Sequence, residues 1–326
     1  MNTHALKDKS NLLPKSKVSA VSDNNETSVN ALRHPLPVKN RKFRMEHLIV
    51  RLLQLFASVS IIAILVITAF IFMEGLPLIF KTGLVKFLFS LDWSPTRSSF
   101  GIGSMLVGSL YLTFSALLWS VPLGVSAAVF MAEIASKRAG NLLGRMVELL
   151  AGIPSVVYGF FGLIVIVPLI RENLGGNGMS LLAGAIVLGI MVLPTIINIS
   201  RDAIIAIPEE YKTSSLALGA THYQTIGRVI LPAARSGIIT AIVLGMGRAI
   251  GETMAVVMVT GNSTTIPEGP LSPLRTMTSN IVLEMGYASG DHQAALFATG
   301  LVLFIFIIML NLVVNMVVKA GGLNAK

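Results

Sequence analysis

Long uninterrupted stretches of apolar residues dominate the chain. Because a membrane-spanning helix needs about 20 consecutive apolar residues, stretches of this length predict transmembrane helices. The short segments of alternating polarity that a transmembrane β-barrel requires are not found in the sequence. The pattern therefore predicts an all-α integral membrane protein with six transmembrane helices. The predicted spans are 48–73, 102–131, 145–170, 180–200, 236–260 and 293–318.

Prolines in the third and fourth of these spans bear on how regular the helices are. The third includes AGIPSVVYGFFG, where Pro154 and three glycines lower the preference for a regular helix, and the fourth includes Pro194. Broken helices inside a membrane are tolerated where they are packed in protein or line a water-filled cavity, whereas a proline can also produce a simple packing bend. Both interpretations remain open for the two segments.

The first 45 residues differ from the rest of the chain. They are rich in Ser, Asn, Lys and Pro and contain almost no aromatic residues. Such a segment buries too little apolar surface to fold, and its polar stretch is too long for the n-region of a signal peptide. We interpret 1–45 as a disordered cytoplasmic tail and 46–320 as the six-helix transmembrane domain.

The charge of the chain indicates its orientation. Only 13% of the residues are charged, and the net charge is +9. With the N-terminus in the cytoplasm, 19 of the 25 Lys and Arg residues flank cytoplasmic segments, 5 lie on the opposite side, and the remaining one is Arg248. This asymmetry follows the positive-inside rule. We therefore expect both termini to be cytoplasmic and expect no nucleic-acid partner.

The fifth span carries an arginine and a glutamate four residues apart, in GMGRAIGETM. A charge at the bilayer centre costs about 2.5–3.5 kcal/mol. An i,i+4 pair on an exposed helix recovers only about 0.2–0.5 kcal/mol, so helix stabilisation does not account for Arg248 and Glu252. On a continuous helix the two charges share a stripe with small residues, and the bulky residues lie on the opposite side.

Three interpretations of this pair remain open. It is a buried link to another helix, it lines a substrate path, or the predicted span boundaries are wrong. A path would favour an anion, because a guanidinium group presents a planar fork of donors that matches carboxylate, sulfate or phosphate oxygens. Glu252 would pair with Arg248 in the absence of substrate. It would also accept a hydrogen bond from a protonated phosphate oxygen, which sulfate lacks at neutral pH.

Motifs for catalysis and for nucleotide binding are absent from the sequence. There is no P-loop, and GMGRAIG has the wrong spacing and context for a dinucleotide-binding motif. The chain has no cysteine, and its five histidines form no metal-ligand spacing. We therefore expect no enzymatic activity, no cofactor and no metal in this chain.

The loop 201–235 has the features of two short helices joined at a glycine. Pro208 followed by two glutamates is a typical helix start, and Gly219 is a suitable stop. The segment THYQ then matches a capping box, and Pro232 is predicted to end the second helix. Such a hairpin on the cytoplasmic side has the shape of a docking element.

This loop resembles the EAA loop of ABC importer permeases, whose pattern EAAxxxG is followed by IxLP. Gly219 takes the glycine position, and VILP takes the terminal motif. The E-A-A positions are held by Thr213, Ser214 and Ser215, a departure from the family pattern that affects any contact made by the family's glutamate but not the hairpin. The resemblance implies that a separate ATPase docks here. The residues implied for docking are Ser215, Leu218, Gly219, Ala220, Gly227 and Pro232.

Further segments are similar to the PstC-type permeases of phosphate ABC importers. They are ELLAGIPSVVYGFFGL, LPTIINISRDAI, ALGATHYQTIGRVILPAA and GMGRAIGETMAVVMVTGN, and the similarity runs from about residue 48 to the end. The signature GRAxGETMAV distinguishes phosphate permeases from other ABC permeases. The resemblance implies a type I importer permease fold that forms half of a phosphate path. The residues implied to line this path are Arg248, Glu252, Thr253, Ser155 and Tyr158.

The same resemblance implies the partners of the chain. They are a PstA-like second permease in a heterodimer, a PstB-like ATPase dimer, a PstS-like periplasmic phosphate-binding protein, inorganic phosphate and the lipid bilayer of the bacterial inner membrane. The segments 74–101 and 261–292 would meet the binding protein or act as passive connectors. Three alternatives remain: a permease for sulfate or molybdate, a membrane receptor or assembly protein that does not transport, and a passive channel.

Overall fold

The protein is described by a computed structural model over residues 41–323, which are mostly helical. The helices are α1 (Arg41–Thr82), α2 (Leu84–Phe89), α3 (Gly103–Val129), α4 (Lys137–Ala151), α5 (Ser155–Phe161), α6 (Val167–Leu174), α7 (Leu181–Ile205), α8 (Glu209–Ala217), α9 (His222–Thr225), α10 (Leu231–Gly251), α11 (Met254–Val259), α12 (Met277–Glu284) and α13 (Asp291–Leu323). The π-helical turns that follow α3, α5 and α9 are Phe130–Ile134, Gly162–Ile166 and Ile226–Ile230. Two short antiparallel strands, β1 (Trp93–Ser94) and β2 (Ser99–Phe100), form a hairpin.

Six helical segments in the described part of the chain are long and apolar enough to span a membrane, which confirms the predicted fold class. The second, fourth and sixth lie close to their predicted positions, whereas the first extends to Thr82. Most of the predicted tail 1–45 lies outside the described residues. The last five positions of this predicted tail, 41–45, already belong to α1. The six segments are Ile49–Thr82, Gly103–Ile134, Ser155–Leu174, Leu181–Ile205, His222–Gly251 and Asp291–Leu312.

The described chain divides into two compact units within α1, between Val66 and Ile67. In the first unit, every side chain over 49–66 is exposed, and most of these side chains are apolar. A helix that is apolar on all sides is typical of a membrane span, and this helix has a mean hydropathy of 2.8 over its most apolar window. The remaining features belong to the second unit.

The third span begins later than predicted because the chain breaks at 152–154. The residues before the break form α4, a separate helix, so the predicted loop near 132–144 is largely helical. Pro154 directly precedes α5, a position where its missing N–H has no intrahelical partner to lose. The fourth span continues through Pro194 as one helix. Of the two interpretations, a broken helix holds for Pro154 and a continuous helix for Pro194.

The fifth span begins earlier than predicted, and the prediction that Pro232 ends a helix is wrong. The helix continues from α9 through the π turn into α10. The amide of Leu231 bonds the carbonyl of Ile226, five residues earlier, so the regular α-helical hydrogen bonds are already displaced at this point. Pro232 occupies the second position of α10, where the absence of its N–H is tolerated.

Close approach of α3, α7 and α10 forms the centre of the bundle. A Cβ atom added at Gly189 of α7 would lie 2.2 Å from the indole ring of Trp119 on α3. A Cβ atom added at Gly245 of α10 would lie 2.9 Å from Val192 of α7. Small residues let membrane helices approach closely enough for van der Waals packing to hold them together. Gly245, one of the small residues in the predicted stripe of the fifth span, therefore faces α7.

One buried carboxylate joins the segments at the end of the bundle that carries the β-hairpin, which we term the hairpin end. Glu284, the last residue of α12, accepts hydrogen bonds from Arg275 Nη1 at 2.6 Å and from Trp93 Nε1 at 2.9 Å. The Nε2 atom of His292 lies 2.8 Å from the same carboxylate. Only 9% of the Glu284 side chain is exposed. Strand β1, helix α12 and the start of α13 are thereby held together.

Replacing Gly75 by alanine should destabilise the second unit. Gly75 of α1 packs against α13, where an added Cβ would lie 2.8 Å from the backbone nitrogen of Ala298. Because backbone atoms cannot move aside as a flexible side chain can, we expect a loss of about 1–3 kcal/mol, measured by thermal unfolding in detergent. Gly247→Ala is the matched control, since a Cβ there meets nothing within 4 Å and alanine favours the helix. Equal shifts in both variants would contradict the close approach.

Candidate functional site

The fifth span is interrupted within the segment that carries its charges. Helix α10 ends at Gly251, Glu252 takes an extended backbone conformation with φ −69° and ψ 135°, and α11 begins at Met254. No proline marks this interruption. Arg248 therefore lies on α10 and Glu252 lies in the break, so the two charges do not share one helical face.

Arg248 reaches across to α7. Its Nη1 donates a hydrogen bond to the hydroxyl of Thr195 at 3.3 Å, and both side chains are half-buried. No ion pair joins Arg248 and Glu252, although the structure describes both residues. The predicted pairing is wrong because the extended backbone at Glu252 removes the helical spacing on which an i,i+4 contact depends.

Hydroxyl groups satisfy the backbone around this break. Thr278 of α12 donates its hydroxyl to the main-chain carbonyl of Glu252 at 2.9 Å. Thr253 donates its own hydroxyl to the carbonyl of Gly251 at 3.3 Å. Because a bilayer offers no water to the backbone, a break at membrane depth needs partners of this kind from the protein. The half-buried Glu252 is thereby held in place from the hairpin end.

The break in the third span packs close to the break in the fifth. A Cβ atom added at Gly159 of α5 would lie 2.7 Å from the Cα of Ala255 in α11. Tyr158 is buried, and its hydroxyl donates to the carbonyl of Leu150 at 2.8 Å, across the break that precedes α5. Tyr158 also belongs to an apolar cluster that contains Ala255 and Val259 of α11. Tyr158 therefore connects the two interrupted spans.

The predicted path residues thus lie at or beside the two breaks, and their role in a path stays a prediction. Tyr158 packs in one apolar cluster with residues of α11, Arg248 lies in the last turn of α10, and Glu252 and Thr253 form the break in the fifth span. Ser155 is the first residue of α5 and is half-buried. Within the described residues, its side chain makes no hydrogen bond to the other four.

Sequence reasoning missed Thr195 and Thr278. Their partners lie 53 and 26 residues away in the chain, and no local pattern identifies contacts at such separations. Threonine is also common in membrane helices, where it hydrogen-bonds within its own helix or across to another helix. The only available signal was that Thr195 directly follows Pro194, a position already noted as irregular.

The loop 201–235 folds as the predicted helical hairpin. Helix α8 begins after Pro208, and the chain turns at Gly219 with φ 88°, a left-handed conformation that glycine adopts without strain. The capping box predicted from THYQ is present at the start of α9. The hydroxyls of Ser215 and Thr225 lie 3.0 Å apart and join the two helices. We term α8 and α9 together the docking hairpin.

The docking hairpin exposes apolar side chains at the end of the bundle opposite the hairpin end, which we term the loop end. Leu218 is 89% exposed and Tyr211 is 54% exposed. Of the other residues predicted to dock a partner, Ala220 is half-buried, whereas Gly227 and Pro232 are exposed. A cavity of about 420 Å³ lies beside α8. It is lined by Glu210, Tyr211, Ser214, Ser215, Leu218 and Val229.

A comparison with protein families decides the class of the protein. Residues 120–320 match the family described as the binding-protein-dependent transport system inner membrane component. The chain belongs to this family. The matched region contains the docking hairpin and both helix breaks, so the features described above lie in the part of the chain that defines the family. With its six spans, this family member is a multi-pass inner-membrane protein.

Curated relatives and solved structures agree with this assignment. The probable ABC transporter permease protein YqgH of Bacillus subtilis (strain 168) is 44% identical over 267 residues, which cover 78% of this chain and 86% of the relative. The phosphate transport system permease protein PstC of Pasteurella multocida (strain Pm70) is 35% identical over 246 residues, which cover 69% and 77%. The resemblance to PstC-type permeases is thereby confirmed.

A solved bacterial ABC transporter involved in the import of the acidic polysaccharide alginate shares the fold. Its TM-score is 0.59 at 18% sequence identity, and the match covers 85% of this chain and 99% of that chain. At this level of identity the likeness concerns the fold alone. It confirms the importer-permease architecture that the resemblance implied.

Removing the Thr278 hydroxyl should loosen the break in the fifth span of this transport component. Thr278→Val keeps the shape of the side chain but leaves the carbonyl of Glu252 without its donor. We expect a loss of about 1 kcal/mol in thermal unfolding and faster amide hydrogen exchange over 252–254. Thr240→Val is the matched control, because the Thr240 hydroxyl bonds only the carbonyl of Ser236 in its own helix. Unaltered exchange in Thr278→Val would contradict the bracing role.

Proposed function

We propose that this chain is the permease subunit of an ATP-driven importer of inorganic phosphate and forms half of the translocation path. The observation that carries the proposal is that Arg248 has no acidic partner among the described residues. Among the described residues its guanidinium has one hydrogen-bond partner, the neutral hydroxyl of Thr195, and no carboxylate. A permanent positive charge inside an apolar span, beside the helix break at Glu252, is therefore available to an anion.

The chemistry of Arg248 suits an oxyanion. A charged side chain in a span costs free energy unless a partner compensates for it, and such residues commonly mark substrate pathways. The planar guanidinium donates paired hydrogen bonds to phosphate oxygens and keeps its charge at any physiological pH. Phosphate is favoured because several relatives at 34–35% identity are named phosphate transport system permease proteins.

Glu252 would make the path selective for phosphate over sulfate. Because Glu252 is not paired with Arg248, its carboxylate can accept a hydrogen bond. Phosphate at neutral pH carries a proton on one of its oxygens and can donate that bond, whereas sulfate carries none. Because sulfate donates no hydrogen bond, the negative carboxylate of Glu252 only repels it. This repulsion acts against the wrong substrate. Thr253, Tyr158 and Ser155 complete the proposed path.

The proposed partners divide the work of transport. A PstS-like binding protein would deliver phosphate, a PstA-like permease would form the other half of the path, and a PstB-like ATPase dimer would hydrolyse ATP. The family description supports a binding protein as partner. The sequence has no P-loop, so ATP hydrolysis is assigned to a partner chain and not to this one. The exposed Leu218 and the cavity beside it offer the ATPase an apolar docking surface.

The orientation follows from charge. The loop end, with the docking hairpin, would face the cytoplasm together with both termini, because 19 of the 25 Lys and Arg residues flank that side. The hairpin end, which includes the β-hairpin and α12, would face the periplasm and meet the binding protein.

Replacing Arg248 by alanine should abolish most phosphate uptake. The test uses vesicles that contain the chain, its second permease and the ATPase, with binding protein and labelled phosphate outside. A charge-assisted hydrogen bond contributes about 1.5–3 kcal/mol, so uptake should fall about 10- to 100-fold. Arg171→Ala is the control, because Arg171 is exposed at the end of α6. Unchanged uptake in Arg248→Ala would remove Arg248 from the path, and uptake without ATP would instead indicate a passive channel.

Replacing Glu252 by glutamine should narrow the preference for phosphate over sulfate. Glutamine still accepts a hydrogen bond but carries no charge, so the repulsion of sulfate is lost while phosphate binding is kept. Competition of unlabelled sulfate and molybdate with labelled phosphate measures the preference, and we expect sulfate to gain about tenfold, or 1.4 kcal/mol. An unchanged preference for phosphate over sulfate would contradict this role of Glu252. Sulfate or molybdate outcompeting phosphate in the wild-type complex would indicate a permease for another oxyanion.

A further inference from the structure

A half-buried ion pair at the loop end joins the docking hairpin to the second span. Glu133 lies in the π turn that ends α3, where the amide of Ala135 bonds the carbonyl of Phe130 at 2.8 Å. The Glu133 carboxylate lies 2.6 Å from Nζ of Lys212 in α8. Only 10% of the Glu133 side chain and 28% of the Lys212 side chain are exposed. Solvent and salt therefore screen this pair much less than a surface pair.

The same residue also holds the second helix of the docking hairpin. The Nε2 atom of His222, the first residue of α9, lies 3.1 Å from the main-chain carbonyl oxygen of Glu133. Because a carbonyl oxygen only accepts hydrogen bonds, the imidazole is the donor. Both arms of the hairpin are thus attached to Glu133, one through its side chain and the other through its backbone.

Glu133 connects the docking hairpin to the second span, while the hairpin itself is continuous with the fifth span. The hairpin continues through the π turn after α9 into α10, which carries Arg248. An apolar cluster at the loop end joins α3 and α7 to this helix, and α7 carries Thr195. The buried residues of that cluster are Ala128, Ile204, Ile230 and Ala234.

We propose that Glu133 is a positioning residue that transmits movement of the docking hairpin to the second span during transport, through its ion pair with Lys212. The inference rests on the proposed function, in which an ATPase pushes on the hairpin. The covalent route from α9 to α10 acts directly on the fifth span only. The pair with Lys212 makes α3 follow, so that the helices around Arg248 and Thr195 change together. A buried ion pair adds little net stability over apolar packing, and its use here is to fix one geometry.

The test compares coupling with assembly. Glu133→Gln and Lys212→Met each remove one charge and keep the approximate size of the side chain. The double variant Glu133→Lys with Lys212→Glu reverses the pair. Lys137→Met, at an exposed lysine of α4, is the matched control. In vesicles of the full complex, three quantities are measured: the amount of ATPase bound, the rate of ATP hydrolysis, and the phosphate taken up per ATP hydrolysed.

We expect the single variants to bind the ATPase and hydrolyse ATP while uptake per ATP falls by about fivefold or more. The double variant should recover at least half of the wild-type ratio, and Lys137→Met should match the wild type. If the single variants fail to assemble, recovery of both assembly and coupling in the double variant supports the same conclusion. Unchanged uptake per ATP in the single variants overturns the proposal. So does a loss of assembly or of coupling that the double variant does not recover.

The wild-type complex separates this inference from the function on which it rests. A wild-type complex that takes up no phosphate defeats the proposed function. A wild-type complex that transports phosphate, with Glu133→Gln and Lys212→Met equally coupled, defeats the role of Glu133 alone.

Discussion

The need to satisfy every backbone polar group away from water governs this structure. An unpaired carbonyl in a bilayer costs several kcal/mol, so a spanning helix can be interrupted only where another part of the protein supplies a donor. At both breaks the donor is a hydroxyl: Tyr158 bonds the carbonyl of Leu150, and Thr278 bonds the carbonyl of Glu252. Because the Thr278 hydroxyl reaches across from another helix, the break at Glu252 depends on the packed bundle, whereas the bond of Tyr158 is local to the turn that precedes α5.

The parts of the fold that depend on neighbouring residues could be predicted from the sequence. Apolar length indicates six spans, and local chemistry at Pro208, Gly219 and THYQ sets the ends of α8 and the start of α9. The break at Glu252 could not be predicted, because no proline marks it and its bracing residue lies on α12. The expected pairing of Arg248 with Glu252 failed for the same reason, since helical spacing holds only along an unbroken helix.

Glu133, Glu284 and Arg248 are three charged residues that are wholly or partly buried in the described part of the chain, and they fall into two groups. At the two ends of the bundle, Glu133 and Glu284 are each bonded to a cationic side chain at 2.6 Å, and each ties several segments together. Between them, Arg248 is held only by a neutral hydroxyl. The paired charges have their electrostatic partners within the chain and act as fixed joints. Arg248 has none among the described residues, which is the arrangement expected of a group whose partner arrives from outside the chain.

The π turn between α9 and α10 has a geometric consequence for the whole span. A π turn contains one residue more than a regular helical turn, so it rotates everything beyond it by about 100° around the helix axis. The docking hairpin lies before the turn Ile226–Ile230, and Arg248 lies after it on the same continuous helix. The angle at which the arginine faces α7 is therefore set at the loop end, by a single inserted residue about 20 positions before it. The π turn therefore sets the rotational offset between the docking hairpin, on which the ATPase would act, and Arg248, which would bind phosphate.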